Sequence, residues 1–309
     1  MTRRALLLFA AMSLIWGIPY LFIRVAVAEM SPAVLVFGRT AIAAAILLPI
    51  AIARVDLRAV LRRWRWVVTF AVVEVGVPWV MLGSAEQHLT SSLAGLLVAG
   101  VPLVSAVLAL ATGGRDRISR RGLVGLLIGL AGVAAIVGFD LGVSDSLALA
   151  QMVLVVVGYA LGATILGRRL GGLPAVGVMA LAMSLSALAY APIALVQWPA
   201  VVPSAGALAA VAVLGVVCTA AAFVVFSALI AEVGPVRSTV VTYANPAVAS
   251  FLGVVVLGET LTAAMILGLG LVILGSMLAT GGGSAATAPT PESDALESDA
   301  GPAAASEAV

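Results

Sequence analysis

Few residues in this chain have side chains able to do chemistry, and nearly all of them sit alone inside apolar stretches. Glu74 lies near the middle of one such stretch, between Val73 and Val75. A carboxylate at the centre of a bilayer costs about 2.5–3.5 kcal/mol on insertion scales, so it marks a function or a compensating partner. Two readings stay open. Glu74 faces a central cavity, where it meets a substrate amine or takes up a coupling proton, or it is a neutral carboxyl hydrogen-bonded between helices. Arg39, about two turns inside its own apolar run, can hold a carboxylate bidentately. That carboxylate belongs either to a substrate or to an interhelical partner such as Glu74. Arg24, nearer an end, is expected to snorkel outward toward Glu29.

Aromatic and amide groups complete the candidate set. Trp16 and Tyr20 are one helical turn apart and would share a face. Trp79, Tyr159 and Tyr243 also lie away from the expected membrane interfaces, whereas Trp64, Trp66 and Trp198 read as interface anchors. Each of the five either walls a cavity or packs between helices. Asn245 precedes Pro246, which frees a helix carbonyl; such a break lines a binding site or simply kinks the helix. The expected substrate-binding residues are therefore Trp16, Tyr20, Arg39, Glu74, Trp79, Tyr159, Tyr243 and Asn245, with Glu74 also expected to carry a proton. Cys218 and Thr219 read as small packing residues, and Gln87 and His88 as outer-surface residues.

Other chemistries are excluded. One cysteine and one histidine cannot form a multi-ligand zinc site, so no metal is expected. There is no lysine and no phosphate-binding loop, which excludes ATP as the direct energy source. No cofactor is expected. An intramembrane enzyme acting on lipid-linked substrates would need clustered polar groups near one interface. The polar groups here are scattered, so the chain is expected not to be an enzyme.

The elements that must position these residues follow from composition. The chain has 309 residues, 63% hydrophobic and 10% charged, with mean hydropathy +1.22. A soluble chain is about a quarter charged, so lipid is the solvent expected for most of this one. Ten apolar runs cover about 5–27, 32–53, 65–84, 91–112, 122–139, 147–167, 174–196, 205–230, 237–257 and 262–280. Each can cross roughly 30 Å of hydrocarbon as a helix. No alternation with a period of two suggests barrel strands. Met1-Thr2-Arg3-Arg4 resembles the start of a signal peptide, but the following run is too long and no A-x-A site ends it. It is expected to be the first transmembrane helix. Residues 281–309 turn to Gly, Ser, Ala, Pro and acids, and are expected to form a disordered cytoplasmic tail.

All 16 basic residues are arginines. Apart from Arg24 and Arg39, which lie inside runs, they precede the first run or fill and flank the links after the even-numbered runs, while the other links carry Glu29, Glu86, Asp140, Asp145 and Glu259. The positive-inside rule then places both termini in the cytoplasm. The pI of about 9.1 thus reflects orientation, and nothing points to nucleic acid.

The chain also repeats itself. Pro32 and Pro174, Pro102 and Pro246, and Gly125 and Gly268 recur at spacings of 142–144. Residues 5–139 and 147–280 thus read as two copies of a five-helix unit. An odd number of crossings inverts the second copy, and inverted repeats suit alternating access. Gly125-x-x-x-Gly129 with Gly268 and Gly275 allows close helix contact, inside the chain or at a homodimer face.

The order of several short motifs adds a resemblance. Trp16-Gly17, Ser31-Pro32, Arg39, the stretch Leu93-Ala94-Gly95-Leu96-Leu97 before Val101-Pro102-Leu103, Tyr243-Ala244-Asn245-Pro246 and Leu257-Gly258-Glu259-Thr260-Leu261-Thr262 resemble the EamA-type transporters of the drug/metabolite transporter superfamily. The closing Gly-Glu-x-Leu-Thr signature has a divergent first copy, Arg115-Asp116-Arg117-Ile118-Ser119. The resemblance covers about residues 5–280. It implies an all-α integral membrane carrier with ten transmembrane helices in the cell (inner) membrane, monomeric or homodimeric. In many members it is an exporter of amino acids or other small metabolites. Proton antiport is the expected coupling, with an uncoupled facilitator and the intramembrane enzyme as alternatives.

Overall fold

The computed structural model describes residues 2–111, 120–140, 146–234, 238 and 241–280. The links at 112–119 and 141–145, Arg237 and the acidic tail lie outside the described residues. Among the described residues the chain forms helices and no strand. In chain order these are α1 (Arg3–Val27), α2 (Pro32–Arg54), α3 (Trp64–Ala85), α4 (Ser91–Leu108), α5 (Arg120–Asp140), α6 (Ser146–Arg169), α7 (Ala175–Val196), α8 (Ala205–Val233), α9 (Val241–Leu257) and α10 (Ala263–Thr280). A short helix, Leu57–Leu61, interrupts the link between α2 and α3. Seven of them, α1–α4 and α6–α8, are long and apolar enough to cross a membrane, and α9 is a shorter apolar helix. Large apolar side chains such as Leu147, Leu188 and Ile266 are exposed on the outside, an arrangement suited to lipid.

Helix starts coincide with capping residues. Ser31, Thr90, Ser204 and Thr262 accept hydrogen bonds from the backbone N–H of Val34, Leu93, Ala207 and Met265 at 3.2–3.3 Å. Each satisfies a donor that has no partner inside the helix. Proline and glycine then mark the breaks. α1 bends at Ile18 before Pro19, and α4 is interrupted at Ala99–Gly100 before Pro102. α3 and α8 each contain one π-helical stretch, Ala71–Gly76 and Val216–Ala221, 145 residues apart.

Packing repeats the same correspondence. α2 lies along α7, α5 along α10 and α4 along α9. α3 lies along α6 while α8 lies along α1, and α4 neighbours α6 while α9 neighbours α1. Exchanging each helix with the one five places on maps this set of neighbours onto itself. The glycine stripe serves the α5–α10 contact. A Cβ added to Gly132 would stand 2.7 Å from the Gly268 carbonyl oxygen, and one added to Gly268 would stand 2.8 Å from that of Gly132. Backbone meets backbone there, so the stripe is used inside the chain.

Contacts between links sort them onto two faces of the bundle. Ser204 donates its N–H and hydroxyl to Glu29, both at 2.6 Å, joining the α7–α8 and α1–α2 links. Glu259, between α9 and α10, accepts from the backbone N–H groups of Ser91 and Ser92 at 2.8 and 2.9 Å and from the Ser92 hydroxyl at 2.5 Å. On the other face, Arg63 donates to the Arg169 carbonyl. Thr2 donates to Glu232 at 2.5 Å, and Arg4 approaches it at 3.9 Å.

Candidate functional site

Arg39 is the centre of the site. It lies on α2 with only 7% of its surface exposed. Its Nε donates to the Thr219 hydroxyl at 2.9 Å, and its guanidinium carbon stands 3.6 Å from the centre of the Trp79 ring. Thr219 is held for this by the π-helical stretch of α8, where its hydroxyl donates to the Leu214 carbonyl, five residues back, at 2.8 Å. The wider π turn releases that carbonyl from regular helix pairing, which is one reason such turns gather at functional sites. Among the described residues no carboxylate pairs with Arg39, and its two terminal nitrogens donate to no protein group and are not enclosed.

Three further helices bring polar groups to it. Trp79, on α3, and Tyr159, on α6, are neighbours there. Tyr20 on α1, Tyr159, Cys218 on α8 and Glu86 all lie within electrostatic reach of the guanidinium. The charge is thus surrounded by two phenols, an indole and a hydroxyl, with its bidentate fork still available to bind a carboxylate.

Glu74 belongs to the edge of this cluster. It sits in the π-helical stretch of α3, packs on Gly162 of α6 and interacts electrostatically with Tyr159. One of its carboxyl oxygens is enclosed without a hydrogen-bond partner. Its helix turn is braced by Tyr190 of α7, whose hydroxyl donates to the Gly76 carbonyl at 2.9 Å.

The expected residues divide into two sets. Tyr20, Arg39, Trp79 and Tyr159 come together, with Glu74 beside Tyr159. Trp16 does not join them. The break at Ile18 turns it away from Tyr20, and it packs on Phe226 with ring centres 4.7 Å apart, in a cluster of α1, α8 and α9 residues. Asn245 and Tyr243 lie on α9, where the Asn245 carbonyl faces Gly17 of α1 and the Asn245 side-chain oxygen is enclosed without a partner. Arg39 pairs with Thr219 and Trp79 rather than with Glu74. Thr219, expected as a packing residue, also accepts from Arg39; a lone threonine in an apolar helix gave no sign of it. Arg24 does not reach Glu29, which is occupied by Ser204; it donates to the Glu86 carbonyl instead. Glu86 itself, expected in an outer link, is completely buried.

Comparison with known proteins gives a family and a fold. The sequence profile of the EamA-like transporter family matches residues 3–138 and again residues 146–281. No curated protein sequence matches the chain. A crystal structure of a protein 22% identical superposes with a TM-score of 0.65, over 89% of this chain and 97% of the other. At that identity the likeness shows the fold alone.

Proposed function

The chain belongs to the EamA-like transporter family, and from that premise we propose that it is a secondary active carrier exporting small metabolites, amino acids first among them, by alternating access. The observation that carries the reading is the guanidinium of Arg39, paired with no carboxylate among the described residues, where α1, α2, α3, α6 and α8 converge. A cation kept in an apolar bundle without a counter-ion is costly, and a solute carboxylate would supply one. Trp79, Tyr20, Tyr159 and Thr219 would line the solute. Glu74, with its unpartnered oxygen, would receive the solute amine or a coupling proton. Trp16, Tyr243 and Asn245 stand on the α1–α9 side as second-rank candidates.

The neighbour exchange between helices and the paired π turns support two inverted five-helix units, 5–139 and 147–280, and hence ten crossings with both termini on one side, for which the arginine placement favours the cytoplasm. The proposed location is the cell (inner) membrane. Use of the glycine stripe inside the chain favours a monomer over a homodimer. Inverted units suit a carrier, because exchanging their conformations opens the site to the other side.

Counterflow in proteoliposomes loaded with a mixed amino-acid pool tests this. Accumulation of a labelled amino acid, lost in Arg39→Gln, is the expected result. Silence across the pool for a folded protein overturns the amino-acid reading. Equal counterflow by Arg39→Gln overturns the site. A Glu74→Gln protein that keeps both transport and its pH dependence removes Glu74 from the mechanism.

A further inference from the structure

Glu86 closes α3 at the end opposite Trp64 and is 0% exposed, although its neighbours Gln87 and His88 are exposed. Both carboxyl oxygens are enclosed with no hydrogen-bond partner. A charged carboxylate in that condition would be severely penalised. The groups facing it are Arg24 and Tyr20 from α1, Arg39 from α2, Tyr159 from α6 and Glu259 from the α9–α10 link. Burial, the largest influence, pushes the Glu86 carboxyl well above the usual carboxylate range, against the opposing pull of Arg24.

Arg24 makes this more than a buried acid. Its guanidinium donates to the main-chain carbonyl of Glu86, so it stands beside the carboxyl without engaging it. A side-chain rotation would convert that contact into an ion pair. The repeat-related helix displays the other condition. Glu232 ends α8 as Glu86 ends α3, 146 residues on; it is 21% exposed at the side chain, accepts from Thr2 at 2.5 Å and has Arg4 at 3.9 Å. The two helix ends thus hold one carboxyl enclosed and unpaired and one partly exposed beside an arginine. Those are the two environments a carboxyl would pass through if the halves exchanged conformations.

We propose that Glu86 is a proton-binding site of this protein, neutral while enclosed as here, and releasing its proton to outer water when the end of α3 opens and Arg24 moves onto its carboxylate. The step breaks the carboxyl O–H bond, passes the proton to water and leaves the charge paired with Arg24. Its link to transport rests on the carrier reading. Glu86 then stands on the outer side of the Arg39 site and Glu74 on the inner side, twelve positions apart on α3, about 18 Å along a regular helix. Tyr159 is within electrostatic reach of both.

Infrared difference spectra of the purified protein in lipid, titrated from acid to alkaline pH, test the protonation without any solute. In a Glu74→Gln background, which removes the other enclosed carboxyl, a carboxylic-acid C=O band persisting above the ordinary carboxylate range is expected, and is expected to be lost when Glu86→Gln is added but not when Glu259→Gln is added. Survival of that band when Glu86→Gln is added, or its loss only with Glu259→Gln, overturns the proposal. Should Glu86→Gln not fold, Glu86→Asp is expected to shift the band, and an unshifted band overturns the proposal equally. Counterflow supplies the second readout. On the alkaline side of the titration the rate is expected to fall about tenfold per pH unit and to become flat in Glu86→Gln, whatever its absolute rate. An unchanged pH profile in that variant overturns the coupling role. Silent counterflow with the infrared band present would fail the carrier reading and leave the proton site standing.

Discussion

Replacing Glu259 probes the outer contact between the two halves. This carboxylate joins the α9–α10 link to the first turn of α4 through the N–H groups of Ser91 and Ser92 at 2.8 and 2.9 Å and the Ser92 hydroxyl at 2.5 Å. Hydrogen bonds to a charged group contribute about 1.5–3 kcal/mol when buried, and a carboxylate at a helix N-terminus adds about 0.3–1 kcal/mol. Glu259 is half-buried, so the lower ends apply, and Glu259→Ala should cost about 2 kcal/mol. Gln keeps an acceptor and loses the charge, so it should cost about half as much. In a double-mutant cycle, Glu259→Gln with Ser92→Ala should show coupling of about 0.5–1 kcal/mol. Equilibrium unfolding in mixed micelles reads these values. The pH dependence follows from the same bonds. Partial burial works to raise the Glu259 carboxyl, but the hydrogen bonds from Ser92 and Ser91 outweigh it and hold the group below its ordinary 4.5. Ionised Glu259 therefore contributes its stability fully above pH 4.5, and that contribution disappears as the pH falls through the lower folded value. Wild type should lose stability in that acid window and Glu259→Gln should lose less. A cost below about 0.5 kcal/mol for Ala, or an identical acid profile in the Gln variant, would refute the reasoning.

Three further outcomes are expected. Arg39→Lys removes the Nε bond to Thr219 and the planar stack on Trp79 while keeping the charge, so counterflow should fall about tenfold or more. Thr219→Val keeps the shape and removes the acceptor of that Nε; counterflow should fall by a smaller factor, and unfolding should show a loss of about 1–2 kcal/mol. Gly132→Val should destabilise the α5–α10 contact by about 1–3 kcal/mol, because a Cβ there stands 2.7 Å from the Gly268 carbonyl oxygen and 2.8 Å from the Leu271 side chain; unchanged unfolding would mean the two helices separate freely.

Class and repeat were legible in the amino-acid order because they rest on one-dimensional quantities. Run length against bilayer thickness, arginine placement and the recurrence of prolines and glycines need no contact information. Glu74, Arg39, Trp79 and Tyr159 were legible for a related reason: a polar or aromatic group in the middle of an apolar run is conspicuous wherever it points. Sharing a turn, by contrast, did not place Trp16 with Tyr20, since the break at Ile18 sends one toward Phe226 and the other toward Gly95. Which partners meet was decided by the tertiary structure. Arg39 finds Thr219 across 180 residues because α8 carries a π turn opposite α2. Arg24 takes the Glu86 carbonyl because Ser204, from the other half, already occupies Glu29. Glu86 reads as a solvated link residue, since nothing local distinguishes an acid at a helix end that faces water from one enclosed by neighbouring helices. Its burial depends on α1, α2, α6 and a link from the second repeat closing over one helix end, a condition set by packing in three dimensions.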